Sequence, residues 1–305
     1  LSRILITGAS GLLGISCVLA ALERGHSVVA AVHQNLFACE GVEVVQKDLT
    51  DLDLLTTLEK LVRIDWIINC AAATDVEWCE KNQKAAFRIN SEFPRVLAHV
   101  AYSFGARLLH ISTDAIFEGV GRATEFDPVL PLNVYAETKL AGEKNVLDVF
   151  PSSLVVRTNI YGWNLQQKRS LSEWILGELE AGHDIDGFFD LKFNPILANQ
   201  LAEILFDMME TPSSGIYHVA GSETCTKYDF ALRIADLFRL DANLVHKVDS
   251  ATVANRAPRP KDCSLNTDRI CKLLGRPMPS IQDGLHQFRV LRENGFSEKL
   301  KSMRR

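Results

Sequence analysis

A doubly wound α/β fold, with a parallel central sheet and a smaller C-terminal lobe, is what the sequence predicts, on three observations. Short, wholly apolar runs alternate with stretches of helical period through the first 160 residues. Runs of that kind are strands buried on both faces, the habit of a parallel sheet covered by helices. A glycine-rich turn, TGASGLLG (7–14), separates the first run from the first helical stretch. Past residue 160 the alternation loosens and helical segments dominate. A chain of 305 residues can bury about 75 % of its unfolded surface, enough for one large domain with an appended lobe.

RILIT (3–7) reads as the first strand, and LLGISCVLAALERG (12–25) as a helix with apolar residues at 12, 15, 18, 19 and 22. SVVAAV (27–32), VEVVQ (42–46) and DWIINCAAA (65–73) read as the next three strands, with a helix at DLDLLTTLEKLV (51–62) before the last. A helix around 82–103 leads into ARLLHIST (106–113), and one near 134–148 leads into SLVVRT (153–158). Farther on, SLSEWILGELEAG (170–182) is helical, GIYHVAG (215–221) is a late strand and KYDFALRIADLF (227–238) is a helix. The tail from 251 carries Pro258, Pro260, Pro277 and Pro279, and no element is assigned there.

Composition narrows the partners. Lys plus Arg number 33 against 38 acids, a net charge of −5 with no dense basic stripe, which gives no support for a nucleic-acid partner. No run reaches 18 apolar residues, so no membrane span is expected, and the start, LSRILITG, lacks the basic region of a secretory signal. Seven cysteines, an odd number without CxxC spacing, read as free thiols in a reducing cytoplasm. The eight histidines are scattered without ligand spacing, and no metal is expected.

Gly8, Gly11 and Gly14 fall between a strand and a helix, where glycines permit a tight turn, close approach of a pyrophosphate to the helix N-terminus, and close helix–sheet packing. The order of elements points to a Rossmann-type dinucleotide site. The end of the second strand, AAVHQN (30–35), has no acid to hold a ribose 2′-hydroxyl, which favours NADP over the alternative, NAD. His33 is a candidate for the 2′-phosphate; Asp48 either accepts from the adenine amino group or caps a helix.

NVYAETKLAGE (133–143) places Tyr135 and Lys139 four residues apart, hence on one helix face. A neighbouring ammonium lowers a tyrosine pKa, and a phenol so tuned can exchange a proton with a carbonyl oxygen while hydride arrives from a nicotinamide. HISTDAIFEG (110–119) brings Ser112 and Thr113 to the carboxyl end of a strand, where such folds place their chemistry.

These stretches, with DWIINCAAATDVEWCE (65–80), PLNVYAETKLAGE (131–143), VVRTNIYG (155–162), GIYHVAG and RPKDCSL (259–265), resemble the extended short-chain dehydrogenase/reductases, particularly the dTDP-4-dehydrorhamnose reductase group. The resemblance implies reduction of a 4-keto group on a nucleotide-linked deoxysugar, with Thr113, Tyr135 and Lys139 catalytic. It implies a cofactor surface of Gly8, Ser10, Gly11, Leu12, Leu13, Gly14, His33, Asp48, Leu49, Cys70, Ala71, Ala72, Ala73 and Asn90 beside Tyr135 and Lys139. Asp75, Thr113, Asp114, Asn159, Trp163 and Arg259 are the candidates for substrate, Arg259 because its rigid fork suits a diphosphate. Residues 1–160 would then bind cofactor and 161–305 substrate, with the segment near 190–221 returning to the sheet. A homodimer is the family expectation.

Departures fall at the sugar end. Where the group reads STDYVFDG this chain has STDAIFEG, putting Ala115 at an aromatic position, and the group's DDQ-x-G-x-PT segment corresponds to FFDLKFNPI (188–196), with Leu191 and Ile196 in place of Gln and Thr. Two further readings stand beside the reductase: an epimerase or dehydratase of the same family, and a cofactor-binding regulatory subunit similar to the β subunit of methionine adenosyltransferase.

Overall fold

The computed structural model describes residues 1–48, 63–253 and 256–305; the helix expected over 51–62 and the contact expected of Leu49 lie outside the described residues. Strands β1 (Arg3–Thr7), β2 (Ser27–Val32), β3 (Val42–Gln46), β4 (Trp66–Asn69), β5 (Arg107–Ile111) and β6 (Leu154–Arg157) join an edge strand, Gly215–His218, in one seven-stranded sheet. The order is edge strand, β6, β5, β4, β1, β2, β3, and every pairing is parallel. The chain thus adopts the doubly wound α/β class. It winds outward in one direction from β1 and in the other from β4, so connections leaving these two strands diverge and open a crevice at their carboxyl ends.

The strands are apolar throughout because both faces are covered. Successive side chains alternate in direction. Ile4 and Ile6 pack with Ile15 and Val18 of the helix Leu12–Glu23, whereas Leu5 packs on the other face with Leu97 and Val146. On the first face Arg24 binds Glu203 and Asp207, both at 2.7 Å, tying the end of Leu12–Glu23 to the helix Ala198–Met209.

The single helix expected around 82–103 is instead Val76–Lys81, Gln83–Phe87, a π-helical turn Arg88–Glu92, and Phe93–Phe104. Pro94 has no N–H to return to the Asn90 carbonyl four residues earlier, which removes an α-helical bond at that turn. The helix Val134–Val149 comes so close there that a Cβ on Gly142 would lie 2.1 Å from the Asn90 carbonyl oxygen.

The second half packs helices Leu171–Glu180, Lys227–Phe238 and Ile281–Glu293 beside a parallel pair, Ile185–Phe188 with Val245–Val248. Ser170, Thr226 and Ser280 start these helices with reciprocal capping boxes. The proline-bearing tail, to which the sequence reading assigned no element, forms Asp268–Leu274, Ile281–Glu293 and Phe296–Ser302. Ile281–Glu293 contributes Phe288, which packs against Tyr161 and Trp163 in the seam behind the crevice. No described helix is long and apolar enough to cross a membrane.

Candidate active site

A cavity of about 1090 Å³ opens along the carboxyl ends of the strands, lined both by the glycine turn and by segments of the second half. Gly8 sits at φ +64°, and a Cβ there would meet the Ala71 backbone nitrogen at 2.6 Å; a Cβ on Gly14 would meet the Gly8 carbonyl oxygen at 2.1 Å. Turn and helix are therefore drawn together by residues without side chains. Gly11 is the N-cap of Leu12–Glu23 without any side-chain cap, the first turn carries no acid, and Gly11, Leu12, Leu13 and Gly14 all line the cavity. Free N–H groups and the positive end of the helix dipole there suit a diphosphate. Ser10 is buried within the turn. This cradle fits the pyrophosphate of a dinucleotide.

The strand ends are bolted together by polar side chains that sequence reasoning missed. Asn69 accepts from the Thr7 hydroxyl (2.6 Å) and the Ala71 N–H (3.2 Å), and its amide donates to His110 Nδ1 at 2.9 Å. His110 is held neutral, first by burial and then by the charge of Lys139. Cys70 and Ala72 reach the cavity, whereas Ala71 is buried under the turn. Asn90 is fully buried, accepts from the Ala73 N–H (2.8 Å), and donates to the Ala73 carbonyl and the Thr138 hydroxyl (3.0 Å each). Its place is behind the cavity wall, where it fixes that wall to the helix Val134–Val149. His33 and Asp48 lie 3.7 Å apart, half exposed, outside the cavity lining.

Asn133 caps Val134–Val149 by accepting from the Ala136 N–H at 2.9 Å, so the helix begins one residue before Tyr135. Tyr135, Lys139, Thr113, Asp114 and Asn159 all line the cavity. Lys139 donates to the Ile111 carbonyl at 2.6 Å, Thr113 to Asp114 at 3.2 Å, and Asn159 to Asp114 at 2.6 Å. Behind Lys139, one turn farther along the helix, Glu143 forms a buried pair with Arg157 (2.7 Å) and accepts from the Ser112 hydroxyl. The only sequence hints of this pair were two charged residues in otherwise buried runs, KLAGE and VVRT.

Burial corrects one expectation. The Tyr135 phenol is not lowered but pushed up to about 12, by burial and by the negative charge of Asp114, against a hydrogen bond with Thr113. Lys139, its ammonium turned to the Ile111 carbonyl, is lowered to about 8 by burial, opposed by Glu143. Asp114 is raised to about 6, again by burial, opposed by Asn159 and Lys227.

Three substrate candidates are placed differently from the expectation. Trp163 is buried with its ring stacked on Phe288 (centroids 4.2 Å apart) and its N–H given to the Phe288 carbonyl at 2.9 Å, so it seals the seam and is not free to meet a sugar. Asp75 is the N-cap of Val76–Lys81, accepting from Trp78 N–H at 2.9 Å, and is outside the lining. Arg259 does line the cavity, yet one arm binds Glu77 at 2.8 Å and another the Ala257 carbonyl at 2.8 Å. Of the departures, Ala115 and Leu191 line the cavity, while Ile196 is core, paired with Ile160. The cavity wall also carries Thr158, whose buried hydroxyl has no partner among the described residues.

Comparison with known proteins agrees with this geometry. The family model described as RmlD substrate binding domain matches residues 2–291. A Haloferax volcanii protein named "Probable low-salt glycan biosynthesis reductase Agl14" is 32 % identical over 92 % of this chain and 95 % of its own length. The dTDP-4-dehydrorhamnose reductase of Mycobacterium tuberculosis is 32 % identical over 87 % of this chain and 85 % of its own. Among solved structures, the Bacillus anthracis dTDP-4-dehydrorhamnose reductase in complex with NADP superposes with a TM-score of 0.81 at 26 % identity, covering 95 % of this chain and 99 % of that one. The resemblance drawn from the glycine turn, the STD segment and the Tyr–Lys pair is borne out: the chain belongs to the RmlD substrate binding domain family of extended short-chain dehydrogenase/reductases.

Proposed function

We propose that this protein reduces the 4-keto group of a nucleotide-linked deoxysugar with NADPH. The observation that carries the reading is the meeting, in one cavity, of the uncapped helix N-terminus at Gly11 with Thr113, Tyr135 and Lys139. Residues 1–160 would serve the cofactor and 161–305 the substrate, and a relative solved with NADP supports the choice of cofactor.

With its pyrophosphate at the Gly11–Gly14 cradle, the reduced dinucleotide would supply hydride from its nicotinamide. The chain supplies the rest. With its pKa near 12, Tyr135 is protonated at neutral pH and so is a donor to the oxygen of a ketone. Asp114, ionised above about pH 6, disfavours the phenolate and keeps that proton in place until an acceptor arrives. The Thr113 hydroxyl stands beside the phenol and can hold the same oxygen. Lys139 carries its charge below about pH 8 and offsets the negative charge left on Tyr135 as the proton moves. Arg256 lines the cavity from the second half and provides a cation for the nucleotide diphosphate, and Arg259 would join it by exchanging Glu77 for a phosphate oxygen. A cytoplasmic location and a homodimer belong to the same proposal, resting on the free-thiol composition and the family resemblance.

The test follows reduced-cofactor absorbance with NADPH and NADH separately, in the presence of dTDP-4-keto-6-deoxyhexose, for wild type and Tyr135→Phe. Oxidation of NADPH that falls by about 10²–10⁴-fold in the variant is the expected result. Cofactor binding without oxidation of any 4-keto nucleotide sugar would overturn the reading.

A further inference from the structure

Lys227 shares the cavity with Thr113 and Asp114, and the chemistry above makes no use of it. It is the first residue of the helix Lys227–Phe238, whose start is pinned by the Thr226–Asp229 capping box. Its Nζ rests 3.2 Å from the centroid of the Phe193 ring, another cavity-lining residue. Its backbone N–H donates to the Leu191 carbonyl at 3.0 Å, but among the described residues its ammonium makes no hydrogen bond or ion pair beyond that ring contact. Three N–H donors are therefore unspent in a site where burial already works against the charge. Asp114, whose field Lys227 feels, accepts once on each oxygen, from Thr113 and from Asn159, and keeps spare lone pairs.

We propose that Lys227 is a specificity-determining residue that, together with Asp114, binds a neutral hydroxyl on a substrate ring carbon next to the one reduced. The inference rests on the reductase reading above. A hydroxyl both donates and accepts, so one group can give its proton to Asp114 and take one from Lys227. A methylene at that place leaves a desolvated ammonium unpaired, and a carboxylate there meets the charge of Asp114. The position next to the reacting carbon follows from Thr113, which bonds Asp114 and also stands beside the Tyr135 phenol. Phe193 adds an apolar face against which a sugar ring can lie. Sites built to hydrogen-bond a hydroxyl reject the analogue lacking it far more strongly than apolar pockets reject a methylene.

The experiment measures binding by calorimetry, with NADP present, of two dTDP-hexoses: the 6-deoxyhexose and its 3-deoxy analogue, which lacks the hydroxyl adjacent to C4. Wild type, Lys227→Met and Lys227→Arg are compared, and NADPH oxidation by the 4-keto forms is followed in parallel. Wild type is expected to prefer the hydroxylated neutral sugar by about tenfold or more, and Lys227→Met to lose that preference by weaker binding of the hydroxylated ligand. Lys227→Arg, which keeps a donor, should retain part of it, and it carries the comparison if Lys227→Met fails to fold. An undiminished preference in the variants, or no preference in wild type, overturns the assignment. A preference that follows Lys227 without any turnover upholds the hydroxyl site while the reductase reading fails.

Discussion

The Glu143 carboxylate and the Arg157 guanidinium join the helix that bears Tyr135 to the strand beside it, with Nη2–Oε2 at 2.7 Å and Nε–Oε1 at 3.0 Å, both side chains almost sealed from water. The pair is continued on one side by the Ser112 hydroxyl and on the other by His218, 3.3 Å from Arg157. The carboxyl end of β5, strand β6, the edge strand and the helix Val134–Val149 thus meet at one polar junction.

Breaking that junction from one side leaves a buried charge without its partner. Arg157→Met and Glu143→Leu are each expected to destabilise the fold by about 3–5 kcal/mol. Replacing both partners by apolar residues should recover part of the loss, because no lone charge remains. Urea unfolding of the two single variants and the double variant gives the coupling. Single losses below about 1 kcal/mol would show that the junction does not hold the helix.

Lys139 should place an alkaline limit on catalysis. Its folded pKa of about 8 lies below the ordinary lysine value. The unfolded state therefore binds the proton more strongly, and this residue makes the fold more stable as pH rises from about 8 toward about 10.4. Activity moves the opposite way, since the ammonium is lost over the same range. The expected result is a fall in kcat/KM for the cofactor above about pH 8, absent from Lys139→Arg, which stays charged at a lower overall rate. The same alkaline limb in both proteins would assign it to another group.

Gly14→Ala forces a methyl group to within 2.1 Å of the Gly8 carbonyl oxygen, with backbone on both sides of the contact. Turn and helix must separate, so dinucleotide affinity should fall by at least about tenfold, accompanied by a stability loss of about 1–3 kcal/mol. Fluorescence titration with NADPH, beside thermal unfolding, separates the two effects. Wild-type affinity in the variant would mean that the cradle tolerates a wider turn.

Asp114→Asn removes a carboxylate whose folded pKa is raised to about 6. A raised carboxylate is the costly case for an acid: its ionised form is disfavoured in the fold, and stability declines as pH climbs from the unfolded value near 3.9 through about 6. The variant's stability relative to wild type should therefore improve by about 2 kcal/mol between pH 4.5 and pH 7. Loss of the counter-charge on Lys227 trims that gain. Chemical unfolding at the two pH values measures the change, and a relative stability independent of pH would contradict the raised pKa.

The parts of the site that could be read beforehand were those encoded locally. Gly8 and Gly14 announce a turn because only a residue without Cβ fits at either position, and Tyr135 and Lys139 share a face because a helix turns every 3.6 residues. Asn69, His110, Glu143 and Arg157 were not read, since each matters through a partner distant in sequence: Asn69 and His110 are 41 residues apart, Glu143 and Arg157 are 14. For Trp163 the sequence left a substrate contact and a plug in the interdomain seam equally open, and the structure takes the second. The partner of Trp163, Phe288, lies 125 residues on, in a tail whose prolines hid three helices.

By itself, the sequence determined the class of fold, the glycine turn after the first strand and the shared helix face of Tyr135 and Lys139, because periodicity and short spacings carry that information along the chain. Tertiary structure alone decided the charge states of the site and the shape of its far wall. Burial raises Tyr135 and Asp114 and lowers Lys139, reversing the shift that a nearby ammonium would have given the phenol. Burial is a property of everything packed around a group, and most of what surrounds these three comes from elements far away in the chain.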